Sequence, residues 1–561
     1  MTLNYGKTYS KKATPQSEAI PGSTQVANSA GGYAWAVDDW VRLDRFLVLG
    51  SEGGSYYATE RALTRDNAEA VVRCIAADGA RAVARIVEVS DAGRAAKNDP
   101  AVFALAMAAK LGDPATRRAA LAALPRVCRI GTHVMHFADY VQAFGGWGRG
   151  TRTAVARWYN DKPADKLAYQ LVKYQARDGW SNRDLLRLAH PKAPSSEHDL
   201  LYRWVVKGEL ANQSEAPVTG GLALVAAFEQ AKRATTAEEI VDLITRFKLP
   251  REAVPTEWLA DARVWEALLQ GMPLTAMIRN LATMTRVGLV APMAQATRTV
   301  VDRLADRRRL REARVHPIAL LAALKTYAAG VGVRGKQTWT PVQAVVDALD
   351  AAFYTAFENV EPSGARTLLA LDVSGSMECG TVAGVPGLTP RVASAAMALV
   401  TAATEKQHAF VAFSDGGPGA GSGLLARLRG RAQPMKGITP LELSPRWRLD
   451  RAMKAVSGLP FAGTDCSLPM RWAMNAGVEV DVFCVYTDSE TWAGPVHPAQ
   501  ALREYREKTG IPAKLVVVGM VSNGFSIADP NDAGMLDVVG FDTGSPAVIA
   551  DFARVRPLER L

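Results

Sequence analysis

Asp372, Ser374 and Ser376 stand at alternate positions in the run LLALDVSGSM, residues 368–377. In an extended segment alternate side chains project to the same side, and Gly375 permits a tight bend among them. One carboxylate and two hydroxyls make a hard oxygen set, which suits Mg²⁺, Mn²⁺ or Ca²⁺ and not zinc. Alone, this spacing fits a strand end followed by a Ser/Gly turn equally well. Two distant stretches add donors of the same kind. AGTDCSLP places Thr464 and Asp465 in a Gly-led loop before a helix, and VYTDSET places Asp488 at the end of another apolar run. No histidine or lysine base accompanies the set; His497 sits in a GPVHPA turn and reads as structural. Metal-assisted phosphate hydrolysis often uses paired ions. A single site lined by two serines and a threonine offers few charges, so a phosphatase or nuclease is disfavoured.

A second set of residues is basic. Residues 149–192 hold ten Lys/Arg against four Asp. The spacing predicts a helix over Pro163–Arg177, with Lys166, Gln170, Lys173 and Arg177 on one face and Leu167, Leu171 and Val172 on the other. The DGW sequence is expected to end that helix and Ser181 to cap the next, where Arg183, Arg187 and His190 repeat the spacing of four and three. Such stripes follow phosphates without reading sequence. His190 adds a ring that can donate, accept or stack. A solvated helix face has the same composition, and Asp178 and Asp184 are interspersed.

Two kinds of element must position these sets. From about Gly31 to Ala356, segments such as PAVFALAMAAKLG and PLTAMIRNLATMTRVG carry apolar residues three and four apart. Short helices in pairs, with no strand between them, predict a HEAT-like α-solenoid of degenerate repeats. Around Glu361 the turn-rich VEPSGAR marks a change. Four apolar runs follow, at 366–372, 408–414, 480–488 and 513–520, with helical patterns between them at 391–406, 447–456, 468–476 and 498–508. That alternation predicts a doubly wound parallel sheet, with ligands bound beyond the carboxyl ends of its strands. The Gly- and Arg-rich stretch 414–437 reads as a mobile surface insertion. The expected division is a polar arm over 1–30, helical repeats over 31–360 and an α/β domain over 361–561.

Composition agrees with a chain of two or three domains: 561 residues, 48% hydrophobic and 22% charged. No apolar run approaches a bilayer span, and the polar start has no signal-peptide core. Five scattered cysteines without a C-x-x-C pair argue against a disulfide framework or a zinc knuckle, and the expectation is a reducing, cytoplasmic setting. Residues 361–561 carry 19 Lys/Arg against 20 Asp/Glu, so the net charge of +10 comes entirely from the first 360 residues. That surplus suggests an anionic partner for the helical part.

The D-x-S-x-S motif with a later threonine and a later strand-end aspartate resembles the metal-ion-dependent adhesion site of a von Willebrand factor A domain. The resemblance makes Asp372, Ser374, Ser376, Thr464 and Asp488 the ligands of a divalent cation, with Mg²⁺ favoured over Mn²⁺ or Ca²⁺. In that family the metal is not hydrolytic and keeps an open position for water or a partner's carboxylate. GYAWAVDDWVRLDRFLVLG, GWGRGTRTAVARWYN, KYQARDGWSNRDLLRLAHPK and RVHPIALLAALKTYAAGVGVRGKQTWTP resemble the TROVE module. Together with LALDVSGSM, GTDCSLPM and DVFCVYTDSET they resemble the Ro autoantigen family over nearly the whole chain, weakly in the arm, 195–256 and the Gly-rich loop.

The resemblance implies a helical ring closed by the A domain and a non-enzymatic, monomeric ribonucleoprotein of a bacterial kind. It implies a small noncoding Y RNA on the outer surface and single-stranded ends of misfolded or immature RNA in the central hole. Family positions for outer-surface RNA binding match Lys173, Arg177 and His190. An exoribonuclease partner is implied by the bacterial members. The competing reading is a metal-dependent protein-binding module.

Overall fold

The computed structural model describes residues 12–52, 54–208, 220–332, 337–357, 361–415, 435–457, 459 and 462–554. Most of the Gly- and Arg-rich stretch expected to form a surface insertion lies outside the described residues. The chain divides into two compact units. One comprises residues 1–70, 94–96 and 356–561; the other comprises 71–93 and 97–355.

The first unit holds the sheet. Its six strands run in the order Met535–Val539, Lys514–Gly519, Val482–Thr487, Thr367–Asp372, His408–Phe413, Ile438–Leu441. All pairs are parallel except the last, where Phe413 faces Ile438 in an antiparallel register. Thr367–Asp372, Val482–Thr487 and Lys514–Gly519 are buried throughout. Sheets of this kind are covered by helices on both faces, which is why these strands read as near-continuous apolar runs. The four strands and four helices expected from the pattern are present, with ends shifted by one or two residues. Two strands escaped the pattern. Ile438–Leu441 contains Pro440, which only an edge strand tolerates. Met535–Val539, at the opposite edge, is buried only at its two ends, with Leu536, Asp537 and Val538 half-buried.

The arm expected over the first 30 residues belongs to this same unit. Val26–Ala27 pairs with Tyr33–Ala36, which pairs with Phe525–Ser526, all antiparallel. The arm reads as polar because several of its inward-facing residues, Gln16 and Asn28 among them, are polar and find partners within the α/β domain. The helix Asp39–Leu49, assigned from sequence to the repeats, also lies here. Its Arg45 is wholly buried and forms a two-pronged ion pair with Asp537 at 2.7 Å.

The second unit is a succession of helices. Asp99–Leu111 packs on Pro114–Val127 and Gly131–Ala143, and Ala164–Lys173 packs on Gly220–Ala231. Their buried stripes follow the apolar spacing; Leu167, Leu171 and Val172 all point inward. A hairpin interrupts the series, Ala176–Arg177 paired with Trp180–Ser181. No helix among the described residues is long and apolar enough to cross a membrane.

Candidate metal centre and nucleic-acid interface

Thr367–Asp372 lies mid-sheet. The chain leaves it for His408–Phe413 on one side and later returns to Val482–Thr487 on the other. Strand order reverses here, and open α/β sheets bind ligands in the crevice beyond such a point. Asp372 ends the central strand and is 0% exposed. One of its oxygens accepts the Ser374 N–H at 2.9 Å; the other accepts the Thr487 hydroxyl at 2.6 Å. The backbone then tightens into a 3-10 turn over Gly375–Glu378, so the loop is not extended throughout as its spacing suggested. The turn brings Ser374 Oγ within 3.1 Å of Ser376 Oγ, and Ser376 lies near enough to Asp488 to favour its charged form.

These four side chains thus form one connected, buried group. Thr464 is buried too, and its carbonyl accepts the N–H groups of Trp492 and Ala493 at 3.1 and 3.0 Å, tying its loop to the one after Asp488. Asp465, in contrast, is occupied: its Oδ1 accepts from Gln16 and from the Ser467 hydroxyl.

Burial, reinforced by the charges of Asp372 and Glu490, pushes the Asp488 carboxyl up to about 8. Burial also raises Asp372, against the hydrogen bonds from Ser374 and Thr487. Two facing buried carboxylates disfavour each other's charge, and a cation between them relieves both. Among the described residues no cluster of three or more His, Cys, Asp or Glu forms a conventional metal cage. A cation here would depend on hydroxyl and carboxylate oxygens together, the donor set that suits Mg²⁺.

Sequence reasoning missed Thr487, although it precedes Asp488 in the quoted VYTDSET. It also missed Glu490, whose charge acts on Asp488. His497 is structural as expected, with its ring nitrogens 2.7 Å from the Glu18 carbonyl oxygen and 3.2 Å from Gln25 Nε2.

The basic set is arranged differently from its helical spacing. The helix ends at Lys173, so Lys166 and Lys173 share it but Arg177 does not. Asp178 and Gly179 both adopt positive φ, 50° and 78°, and this Asp-Gly pair turns the chain into the hairpin that carries Arg177. Ser181 caps Asn182–Ala189 through a full capping box with Asp184. Arg183 and Arg187 lie on that helix, and His190 follows it as a left-handed cap. Lys166, Arg177, Arg183, Arg187 and His190 are exposed. Lys173 is half-buried, its ammonium 5.4 Å from the ring centres of both Tyr169 and Tyr174. Asp178 lies 3.5 Å from Arg177 and pairs with His136, whose other nitrogen is 3.4 Å from Asp99. The hairpin is therefore docked on the Gly131–Ala143 helix, and Trp180 contacts Trp147 at 5.8 Å between rings.

The TROVE domain family matches residues 26–326, and the Ro60 vWA domain family matches residues 366–553. The chain is 44% identical over 542 residues to the RNA-binding protein RO60 of Deinococcus radiodurans, covering 96% of this chain and 97% of the relative. It is 36% identical over 602 residues to the RNA-binding protein RO60 of Caenorhabditis elegans, covering 94% and 90%. The crystal structure of the Deinococcus radiodurans RO (RSR) protein matches with a TM-score of 0.67 at 44% identity, over 92% of this chain and 99% of that one. Helical repeats carrying a basic surface, followed by a doubly wound domain with D-x-S-x-S at its switch point, place this chain in the Ro60 family of TROVE–vWA proteins.

Proposed function

We propose that this chain is an RNA-binding scaffold, without catalytic activity of its own, that holds RNA on the basic surface of its helical unit. The observation that carries this reading is the grouping of exposed Arg177, Arg183, Arg187 and His190 on a hairpin and the helix that directly follows it. Guanidinium groups on rigid, capped elements suit phosphate contacts. The relatives named RNA-binding proteins support the same reading. The finer proposal is a Y-like small RNA on this surface, with single-stranded ends of misfolded or immature RNA taken up within a helical ring. It acts in the cytoplasm as a monomer, alongside an exoribonuclease. The test is a gel shift with a labelled structured small RNA at moderate salt. Lys173→Ala combined with Arg177→Ala is expected to abolish most of the shift, and unchanged affinity would sink the assignment.

A second activity is favoured by the buried carboxylate pair at the end of the sheet. Asp372, Ser374, Ser376, Thr464 and Asp488 would hold Mg²⁺, with Mn²⁺ or Ca²⁺ as substitutes. When bound, the cation supplies an electropositive point that recruits a carboxylate. The surrounding residues orient that face: Thr487 fixes Asp372, and Ser376 links the Ser374 loop to Asp488. A pull-down with and without chelator tests it, Asp372→Ala being expected to abolish any metal-dependent partner.

A further inference from the structure

The loop after Asp39–Leu49 reaches the same crevice from outside the sheet. Its base is tied down: Ser522 Oγ donates to the Gly50 carbonyl at 2.6 Å, and the buried Asn67 amide reaches Ser51 and Ser522 at 3.0 and 3.1 Å. Its tip is closed on itself by Ser55 N–H to the Ala58 carbonyl, 2.8 Å, and Ala58 N–H to Ser55 Oγ, 3.1 Å. It packs on the turn that follows D-V-S-G-S. A Cβ on Gly384 would lie 2.3 Å from the Glu52 carboxylate, and one on Gly380 would lie 2.9 Å from the Gly54 carbonyl. Thr381 Oγ1 approaches the Glu52 carbonyl at 3.4 Å. Glycine at both positions thus lets the loop approach the turn more closely than a side chain would allow. From it Tyr57, half-buried, lies near enough to Ser376, Asp488, Glu490 and Asp372 to interact with each of them. Its neighbour Tyr56 meets it edge-on at 4.9 Å and points outward, 59% exposed.

We propose that Tyr57 is a further residue of the metal site: its phenol occupies the side from which a partner's carboxylate would approach, so the site is covered by its own chain. This rests on the metal reading above. A phenol is a neutral oxygen donor, so it leaves the site's charge to the cation while excluding an anionic oxygen by volume. A carboxylate partner then competes with Tyr57, and specificity for partners is set partly by the 50–58 loop.

The test uses the full chain, Mn²⁺ as the cation and acetate as the carboxylate. Water-proton relaxation reports how open the bound Mn²⁺ is to solvent and when acetate displaces that water. Tyr57→Phe keeps the ring and Tyr57→Ala removes it; Tyr56→Ala serves as a control on the same loop. Tyr57→Ala is expected to raise relaxation per bound ion and to let acetate act at about tenfold lower concentration. Tyr57→Phe should fall between, and Tyr56→Ala should match the unaltered chain. Equal acetate response in the unaltered chain and Tyr57→Ala, with Mn²⁺ bound to both, would overturn the proposal alone. Absence of Mn²⁺ binding in the unaltered chain would overturn the metal reading and the proposal with it.

Discussion

Gln16 Nε2 donates to Asp465 Oδ1 at 2.7 Å, although 449 positions separate the two residues. The same amide nitrogen donates to the Val496 carbonyl at 2.8 Å, and its oxygen accepts from the Thr491 hydroxyl. A single glutamine thus joins the loop before the Leu468–Ala476 helix to the loop after Asp488. Ser29 N–H to Glu490 at 2.8 Å and Asn28 to the Thr491 carbonyl at 2.7 Å add to the link. The arm therefore holds together the loops that carry Thr464 and Asp488.

Gln16→Ala removes the hydrogen bonds to Asp465, Val496 and Thr491 from a buried setting, which costs about 2 kcal/mol in the unit that holds the sheet. Denaturant unfolding followed through that unit should show it. Asp465→Ala should cost a similar amount, and the double variant less than the sum of the two. Additive losses would mean that the two residues act separately.

Arg45 tests the same unit from another side. Arg45→Met strands the carboxylate of Asp537, which is only 14% exposed and otherwise accepts from Ser526. The expected loss is about 3 kcal/mol, because breaking one partner of a buried pair leaves an uncompensated charge. Adding Asp537→Leu should recover most of it, as chemical denaturation can show.

Asp488 gives the pH dependence a definite sign. Its folded value, about 8, stands above its usual 3.8. The folded chain therefore binds the proton more tightly than the unfolded chain. The resulting stability is fully present below about pH 4 and is lost as pH rises toward 8. Asp488→Asn should remove that slope in chelator-treated protein, raising stability at pH 8 by on the order of 2 kcal/mol. It should also remove any rise in melting temperature on adding Mg²⁺. A metal-free protein equally stable at pH 5 and pH 8 would contradict this.

The contrast between Asp372 and Tyr57 shows where sequence reading ends. Asp372, Ser374, Ser376 and Asp488 announce themselves because each closes or follows an apolar run, and a parallel sheet brings strand ends together. The helix at 468–476 is legible for a similar local reason, bounded by Ser467 and Gly477. Tyr57, Gln16 and Asn28 carry no such local mark. Their meaning comes from partners hundreds of positions away, and a polar residue that finds its partner by tertiary contact is indistinguishable in sequence from one that faces water. Arg177 failed differently. Its spacing fits a helix, but the Asp-Gly pair that follows has a stronger preference for a hairpin turn.

That hairpin makes the last prediction sharp. Arg177, Arg183 and Arg187 are all exposed cations, so each that meets a phosphate contributes a released counterion. Replacing any such arginine with alanine should reduce the slope of log affinity against log salt by about 0.7–0.9. Gly179→Ala changes no charge. It places a Cβ at φ 78°, a conformation costing about 1–2 kcal/mol for an L-residue, and so loosens the turn that presents Arg177. If the hairpin positions Arg177 on RNA, Gly179→Ala should lower affinity and reduce the salt slope nearly as much as Arg177→Ala, while the slope lost on Arg187→Ala stays the same in either background. If Gly179→Ala binds RNA like the unaltered chain, the hairpin is incidental and the contact belongs to the Asn182–Ala189 helix alone. Filter binding across a salt series distinguishes the two outcomes.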